Sequence, residues 1–218
     1  MSKQDVVIME DINAENDRRA EEIHRSLAEK GIFTINVIGA PGVGKTSTLT
    51  RVIQGLGDIP SAVVEGDIQS DIDTQKLRER GIPSTQINTG GACHIDAPLM
   101  ESALAKFPVK ENSLLWIENI GNLVCPAEFQ IGEDVKMLIC AATDGSDKPY
   151  KYPLAFEKAA VILVNKADLL PHVDFDMDYF TKGIRALNPT APILPVSAKT
   201  GEGIDEVCQW IQQRRSNR

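Results

Sequence analysis

The apolar positions of this chain switch repeatedly between a period of two and a period of 3.6, and each switch marks an element. Residues 33–38 hold Phe33, Ile35, Val37 and Ile38 in loose alternation, as a buried strand does. Residues 47–54 lack glycine and proline and set Leu49, Val52 and Ile53 at helical spacing. Short apolar runs at 61–65, 84–88, 113–118, 135–141, 161–164 and 193–196 predict six further strands. The run Leu114-Leu115-Trp116-Ile117 is continuous, which suits a central parallel strand covered on both faces. Helices are predicted at 74–80, closed by Gly81, at 98–106, and from near Ile204, where Ile204, Val207, Cys208 and Ile211 share a face. Ahead of the first strand, residues 14–30 predict a charged helix with a narrow stripe of Ala20, Ile23 and Leu27, ended by Gly31. So narrow a stripe suits a surface helix. Residues 1–10 are expected to form a frayed or edge-pairing lead-in.

Strands alternating with helices predict an α/β fold with a doubly wound, mostly parallel sheet of about seven strands. At 218 residues the chain suits one domain, 1–218, with 1–31 as lead-in and surface helix and 32–218 as the core. In such a sheet the loops after the strands gather along one edge, where ligands bind. The net charge of −8 argues against a nucleic-acid partner, since phosphate backbones call for a basic surface. No apolar run approaches the ~18 residues of a membrane span, and the first residues are polar and acidic, so a cytoplasmic protein without a membrane partner is expected. Four scattered cysteines do not make a disulfide framework in a chain of this size.

Charge and cysteine count leave the chemistry to the loops. Residues 39–46, Gly39-Ala40-Pro41-Gly42-Val43-Gly44-Lys45-Thr46, match G-x-x-x-x-G-K-S/T in full, and they lie between a predicted strand and a predicted helix. Gly42 and Gly44 let the backbone turn its N–H groups inward as a nest for phosphate oxygens, and the helix N-terminus adds partial positive charge. Gly39, Pro41, Gly42, Val43, Gly44, Lys45, Thr46 and Ser47 are read as this P-loop cradle. Lys45 is expected to reach the β and γ phosphates, and Thr46 to ligate Mg²⁺.

Asn165-Lys166-Ala167-Asp168 follows a strand at once and has the N-K-x-D pattern of guanine-specific GTPases. A carboxylate there accepts from two adjacent guanine N–H groups that adenine lacks, so GTP and GDP are the expected nucleotides. Ser197-Ala198-Lys199, after the last strand, resembles the second base-contacting loop of the same enzymes. Glu118 ends the central apolar run, where an acidic group near Mg²⁺ is expected, and Gly121 is placed to meet the γ-phosphate. Small GTPases carry Asp at the first of these places. The Glu points to P-loop proteins that often work as nucleotide-dependent dimers. Asp67 and Asp71 fall where a switch loop supplies a Mg²⁺ contact and a water-positioning carboxylate; a plain solvated acidic loop is the alternative, more so for Asp71. The catalytic set is thus Lys45, Thr46, Asp67, Asp71 and Glu118, with Thr46, Asp67 and Glu118 at Mg²⁺. No arginine in these loops is an obvious finger, so slow hydrolysis is expected.

Cys93, His94 and Cys125 lie in two loops of the same edge. Taken alone, Cys93-His94 also suits a buried cysteine beside a chance histidine. Brought together, two thiolates and an imidazole suit Zn²⁺, Ni²⁺ or Cu⁺ rather than Mg²⁺, and three ligands leave a position open for a transferable metal. Cys140 and Cys208 read as core residues, His24 and His172 as surface ones.

With these motifs in view the chain resembles the HypB family, the nickel-incorporation GTPases of nickel–iron hydrogenase maturation. The resemblance covers nearly the whole chain. It is carried by the P-loop, Gly66-Asp67, Gly91-Ala92-Cys93-His94, Glu118-Asn119-Ile120-Gly121-Asn122-Leu123-Val124-Cys125-Pro126, Asp147-Lys148-Pro149-Tyr150-Lys151-Tyr152-Pro153 and the N-K-x-D segment. It implies a GTP-dependent homodimer with nickel or zinc held at its interface by Cys93, His94 and Cys125, and Lys148 near the nucleotide base. It also implies a nickel-delivering or zinc-binding accessory protein and the hydrogenase large subunit as partners. Many members carry an N-terminal C-x-x-C-G-C motif or a histidine-rich stretch. This chain has no cysteine before Cys93 and three histidines, so nickel handling is expected to rest on the Cys93 site or on a partner. The urease accessory GTPase is a related alternative, but it has Cys-Pro-His where this chain has Cys93-His94. A small-molecule kinase using ATP is another, opposed by N-K-x-D. A module that holds GTP without turnover is a third.

Overall fold

The computed structural model describes residues 3–67 and 71–218. In chain order the elements are α1 (Lys3–Glu29), β1 (Phe33–Ile38), α2 (Lys45–Gly55), β2 (Ser61–Asp67), α3 (Ile72–Glu79), β3 (Ser84–Asn88), α4 (Ala97–Lys106), β4 (Leu114–Glu118), α5 (Cys125–Glu128), β5 (Val135–Ala141), α6 (Lys148–Lys151), α7 (Pro153–Lys158), β6 (Val161–Asn165), α8 (Met177–Leu187), β7 (Ile193–Pro195) and α9 (Ile204–Ser216). The seven strands form one sheet in the order β3-β2-β4-β1-β5-β6-β7. Every pairing is parallel, so the sheet is wholly rather than mostly parallel. β1 sits between β4 and β5, where the winding reverses, and the carboxyl end of β1 opens a ligand-binding crevice.

Both faces of the sheet are covered, which is why its central strands are buried at every position. On one face Ile35, Val37, Trp116 and Leu163 pack with Leu49 and Val52 of α2 and Val207 and Ile211 of α9. On the other, Val64, Leu115 and Ile117 meet Ile23 and Leu27 of α1 and Met100 of α4. Further along that face Leu138 and Ile162 meet Phe156 of α7 and Phe180 of α8. Truncating such a residue to Ala costs about 2–5 kcal/mol. Thr34 and Asn36 of β1 are buried as well, and two polar side chains inside the central strand need partners.

Several boundaries differ from the sequence expectation. Helix α1 begins at Lys3, so the lead-in expected over residues 1–10 is helical from there. α3 starts at Ile72, ahead of the expected residue 74, while β2 runs on through Gly66 to Asp67. Asp67 therefore ends a strand rather than opening a loop. Ile68, Gln69 and Ser70 of the expected acidic loop lie outside the described residues. α5, α6, α7 and α8 have no counterpart in the predicted elements. The first three are four, four and six residues long, with Pro126, Pro149 and Pro153 in their first turns. So short a run shows no period. α8 is amphipathic and capped by Asp176, whose carboxylate accepts from Tyr179 N at 2.8 Å. No helix among the described residues is long and apolar enough to cross a membrane.

Candidate functional site

The P-loop leaves β1 and enters α2 at Gly44, whose φ of 90° belongs to the left-handed region. A Cβ there would lie 2.5 Å from Asn165 Nδ2, so both conformation and space call for glycine. Lys45 is buried, and its Nζ donates to the carbonyls of Gly39 (3.2 Å) and Ala40 (3.3 Å). Burial pushes its pKa down, against the opposing pull of the Glu118, Asp73 and Glu65 carboxylates. Thr46 Oγ1 lies 2.8 Å from Glu118 Oε1 and 3.3 Å from Asp73 Oδ2. Burial pushes Glu118 up to about 7, opposed by the Thr46 hydrogen bond and by Lys45. Its other oxygen, Oε2, is buried without a hydrogen-bond partner among the described residues. Glu65 stands beside it across the β2–β4 ladder, is also raised by burial, and accepts from the Thr74 hydroxyl. The phosphate end is thus rich in carboxylates around one ammonium.

Of the two switch acids expected, Asp67 lies half-buried at the end of β2. Asp71 is exposed ahead of α3 and accepts from Gln75 Nε2 at 2.7 Å. Asp73, which sequence reasoning passed over, is the acid that reaches Thr46. It sits in the first turn of α3, and that helix begins two residues earlier than its apolar pattern suggests.

The base end is tightly cross-linked. Asn165 Nδ2 donates to Val43 O at 2.7 Å, and its Oδ1 accepts from Ala198 N at 3.1 Å. Lys166, at φ 60°, donates to Gly42 O at 2.9 Å. Asp168 Oδ1 accepts from Ser197 Oγ at 2.7 Å. Asn165, Lys166, Asp168, Ser197 and Ala198, with Gly44, Ser47, Leu169 and Lys199, line a cleft of about 350 Å³. Arg51 of α2 was not foreseen. Its guanidinium holds the carbonyls of Ala198 (3.1 Å) and Lys199 (3.3 Å), fixing that loop to the P-loop helix. Lys148 is not among the cleft-lining residues; it opens α6, with its Nζ 5.5 Å from the Tyr152 ring centroid.

Cys93, His94 and Cys125 come together, with their donor atoms all within 4.8 Å of one another. The two Sγ atoms are 3.0 Å apart, and Cys93 Sγ lies 3.5 Å from His94 Nδ1. Cys93 is exposed, which removes the buried-cysteine alternative. The contact with Cys125 pushes the Cys93 thiol up, and burial pushes His94 down. The His94 ring stacks on Phe129 with centroids 4.2 Å apart. Asn122 ties the two loops: its Nδ2 donates to Cys93 O at 3.2 Å, and its backbone pairs with Gly39 of the P-loop. A Cβ on Gly121 would lie 2.8 Å from the Pro41 ring. Cys140 and Cys208 are buried, as expected, and His172 is exposed. His24 is only partly exposed, with Nδ1 3.9 Å from Asp134 Oδ1.

The fold and this edge define a P-loop nucleotide-binding protein with a Cys₂His cluster beside the phosphate cradle. Residues 33–195 match the model of the CobW/HypB/UreG nucleotide-binding domain. Over 212 residues the chain is 47% identical to the hydrogenase maturation factor HypB of Azotobacter vinelandii, covering 97% of this chain and 70% of that one. The crystal structure of HypB from Helicobacter pylori in complex with nickel superposes with a TM-score of 0.88 at 31% identity, covering 93% of this chain and 96% of that one. HypB from Archaeoglobus fulgidus gives 0.85 at 35%, covering 93% and 99%. The chain belongs to the CobW/HypB/UreG family and, within it, to the HypB hydrogenase maturation factors.

Proposed function

We propose that this chain is a GTPase metallochaperone that takes nickel or zinc at Cys93, His94 and Cys125 and passes nickel toward a hydrogenase. GTP favours a twofold dimer across the edge that carries these ligands. The observation that carries the reading is that Gly121 and Cys125 share one short segment. That segment abuts the P-loop at Pro41 and Gly39 and touches the Cys93 loop through Asn122. Exposed Cys93 and the 54% exposure of Val124 leave the ligands open to a second copy. A C2 contact presents each ligand set twice.

The roles follow from the chemistry of the groups. P-loop N–H groups and Lys45 bind the β and γ phosphates. Asp168 reads the guanine, held by Ser197, while Asn165 fixes the cleft to Val43. The donor set around Thr46 fits Mg²⁺: a hydroxyl, the Asp73 carboxylate, and a Glu118 whose Oε2 is buried without a partner. Thr46, Glu118 and Asp73 would hold the ion, with Asp67 near by. When bound, Mg²⁺ supplies charge neutralisation at the β and γ oxygens. Glu118 as a carboxylate and Lys45 as an ammonium orient Thr46 and the phosphate. Lys148 is proposed to act across the dimer near the base, and an accessory protein and the hydrogenase large subunit to be partners. The two thiols must lose protons on metal uptake, so metal affinity weakens as pH falls.

The test is sedimentation of the wild type with a GTP analogue, with and without Ni²⁺ or Zn²⁺. Metal should raise the dimer fraction, and Cys125→Ala should abolish that response while leaving monomer GTP affinity within about threefold, since the site is off the nucleotide. An unchanged dimer fraction, or a Cys125 variant that responds like wild type, overturns the reading.

A further inference from the structure

The geometry points to a buried polar chain, Asn119–Asn36–Glu133–Lys136, as the set of positioning residues that couples the phosphate-facing segment to both metal-ligating loops. The inference rests on the reading above, that nucleotide and metal act at one edge.

Asn36 lies inside the central strand and is fully buried. A buried amide left unpaired costs about 1–3 kcal/mol, so its partners are part of the fold. Its Nδ2 donates to Glu133 Oε1 at 3.2 Å, and its Oδ1 accepts from Asn119 Nδ2 at 3.3 Å. Glu133 Oε1 also meets Lys136 Nζ at 3.0 Å, and its Oε2 accepts from Ile131 N at 2.8 Å. Lys136 is 4% exposed and gives its remaining donors to the carbonyls of Pro126 and Phe129. An ion pair buried this deeply seldom adds net stability over apolar packing. Its effect here is positional. Lys136 grips both ends of α5, the helix that begins with Cys125 and is followed by Phe129, the ring on which His94 stacks.

At the other end one oxygen serves two loops. Asn119 Oδ1 accepts from Ile95 N at 3.1 Å, next to His94, and from Ile120 N at 3.0 Å, next to Gly121. Gly121 is the residue packed on Pro41 of the cradle. A shift of the Ile120–Gly121 peptide toward or away from the phosphate therefore disturbs the acceptor that holds Ile95. Through Asn36 and Glu133 it also bears on the lysine that holds α5. Both metal loops hang from one hydrogen-bonded chain whose middle member is fixed in β1. In a low-dielectric interior such bonds reinforce one another. A second bridge runs between the same two loops: Asn16 Oδ1 accepts from Ala97 N at 2.9 Å, and its Nδ2 donates to Gln130 O at 2.9 Å. Neither of these bonds reaches a residue of the phosphate end, so the bridge serves as the structural control.

The experiment measures the Zn²⁺ and Ni²⁺ dissociation constants of the full chain loaded with GDP or with a non-hydrolysable GTP analogue. The wild type should show a ratio of about tenfold between the two states, an ordinary allosteric coupling. Asn36→Leu should bring the ratio to within about twofold of one, whereas Asn16→Ala should move both constants together and keep the ratio. Two further measurements stand in if Asn36→Leu fails to fold. One is the paired change Glu133→Gln with Lys136→Met, expected to collapse the ratio as well. The other is hydrogen exchange in the wild type, where Ile95 and Ile120 amide protection should change together when GDP is replaced. A wild-type ratio of one overturns the nucleotide–metal reading and this chain with it. A wild-type ratio near tenfold that survives Asn36→Leu or the paired change overturns this inference alone. So does Ile95 protection that stays fixed while that of Ile120 shifts.

Discussion

The two ends of the nucleotide edge are built on opposite principles. At the base end the polar groups are already tied together: Asn165 is held at both its oxygen and its nitrogen, Asp168 by Ser197, Lys166 by Gly42, and the Ala198–Lys199 carbonyls by Arg51. At the phosphate end the groups are crowded and under-satisfied. Glu118 is raised to about 7 with an orphan oxygen, Lys45 is depressed by burial, and Cys93 and Cys125 press their sulfurs to 3.0 Å. The first arrangement is preorganised, so binding costs little reorganisation and the site can discriminate between bases. The second holds unfavourable charge that a cation or phosphate relieves, so a ligand there gains affinity by changing the local structure. On the proposed reading, identity is read at the rigid end and state is reported at the tense end.

Three substitutions break this comparison in different ways. Lys45→Ala should have the largest effect. Among the described residues no other lysine or arginine reaches the Gly39 and Ala40 carbonyls, so single-turnover GTP hydrolysis should fall at least about a hundredfold. Turnover that survives would place the chemistry elsewhere. Asp168→Asn should come next. It turns an acceptor toward donation at the base, so GTP affinity should fall between about tenfold and a hundredfold and discrimination against ATP should relax. Competition binding reads both. Since the base end is preformed, this variant should melt within about 1 kcal/mol of wild type. A large loss of stability would mean that Asp168 is structural through Ser197.

The same contrast explains what the sequence made legible. The P-loop and N-K-x-D are each contiguous, and their patterns rest on residue types with few substitutes, a positive-φ glycine or a carboxylate set beside the cleft. The central strands were legible because both faces of the sheet are covered there and their runs are therefore mostly apolar. Cys93, His94 and Cys125 could be named as soon as the parallel topology put their loops on one edge. What supports them could not. Asn16 and Gln130 are 114 positions apart, and Asn36 and Glu133 are 97 apart. In the sequence Asn16 is one polar residue in a charged helix, and Asn36 and Lys136 look like interruptions in strands. Asp73 was hidden by two nearer aspartates and a misplaced helix start. Partners of this kind are set by packing, and no local spacing encodes them.

The last expected effect, read in stability rather than turnover or affinity, bears on the tense end directly. Glu118 has a folded-state pKa of about 7 against an ordinary 4.5, with burial as the main cause. The folded protein therefore holds this proton more tightly than the unfolded chain. Below pH 4.5 both states are protonated and nothing is lost. Between 4.5 and about 7 the unfolded chain ionises first, so stability falls as pH rises, and it levels off above that. The full loss is at most roughly 3–4 kcal/mol, since each pKa unit is worth about 1.4 kcal/mol. Glu65, raised in the same direction, adds to the slope, whereas the depression of Lys45 acts in a more alkaline window. Comparing wild type with Glu118→Gln isolates the one group. In nucleotide-free, metal-free protein the variant should gain on wild type as pH goes from 5 to 8, by a few degrees in Tm for each kcal/mol. It should also lose the Mg²⁺ dependence of GTP binding. Parallel melting curves for the two proteins across that range would show that Glu118 carries no unrelieved charge, and the tension assigned to this end would have to lie in Lys45 and Glu65 instead.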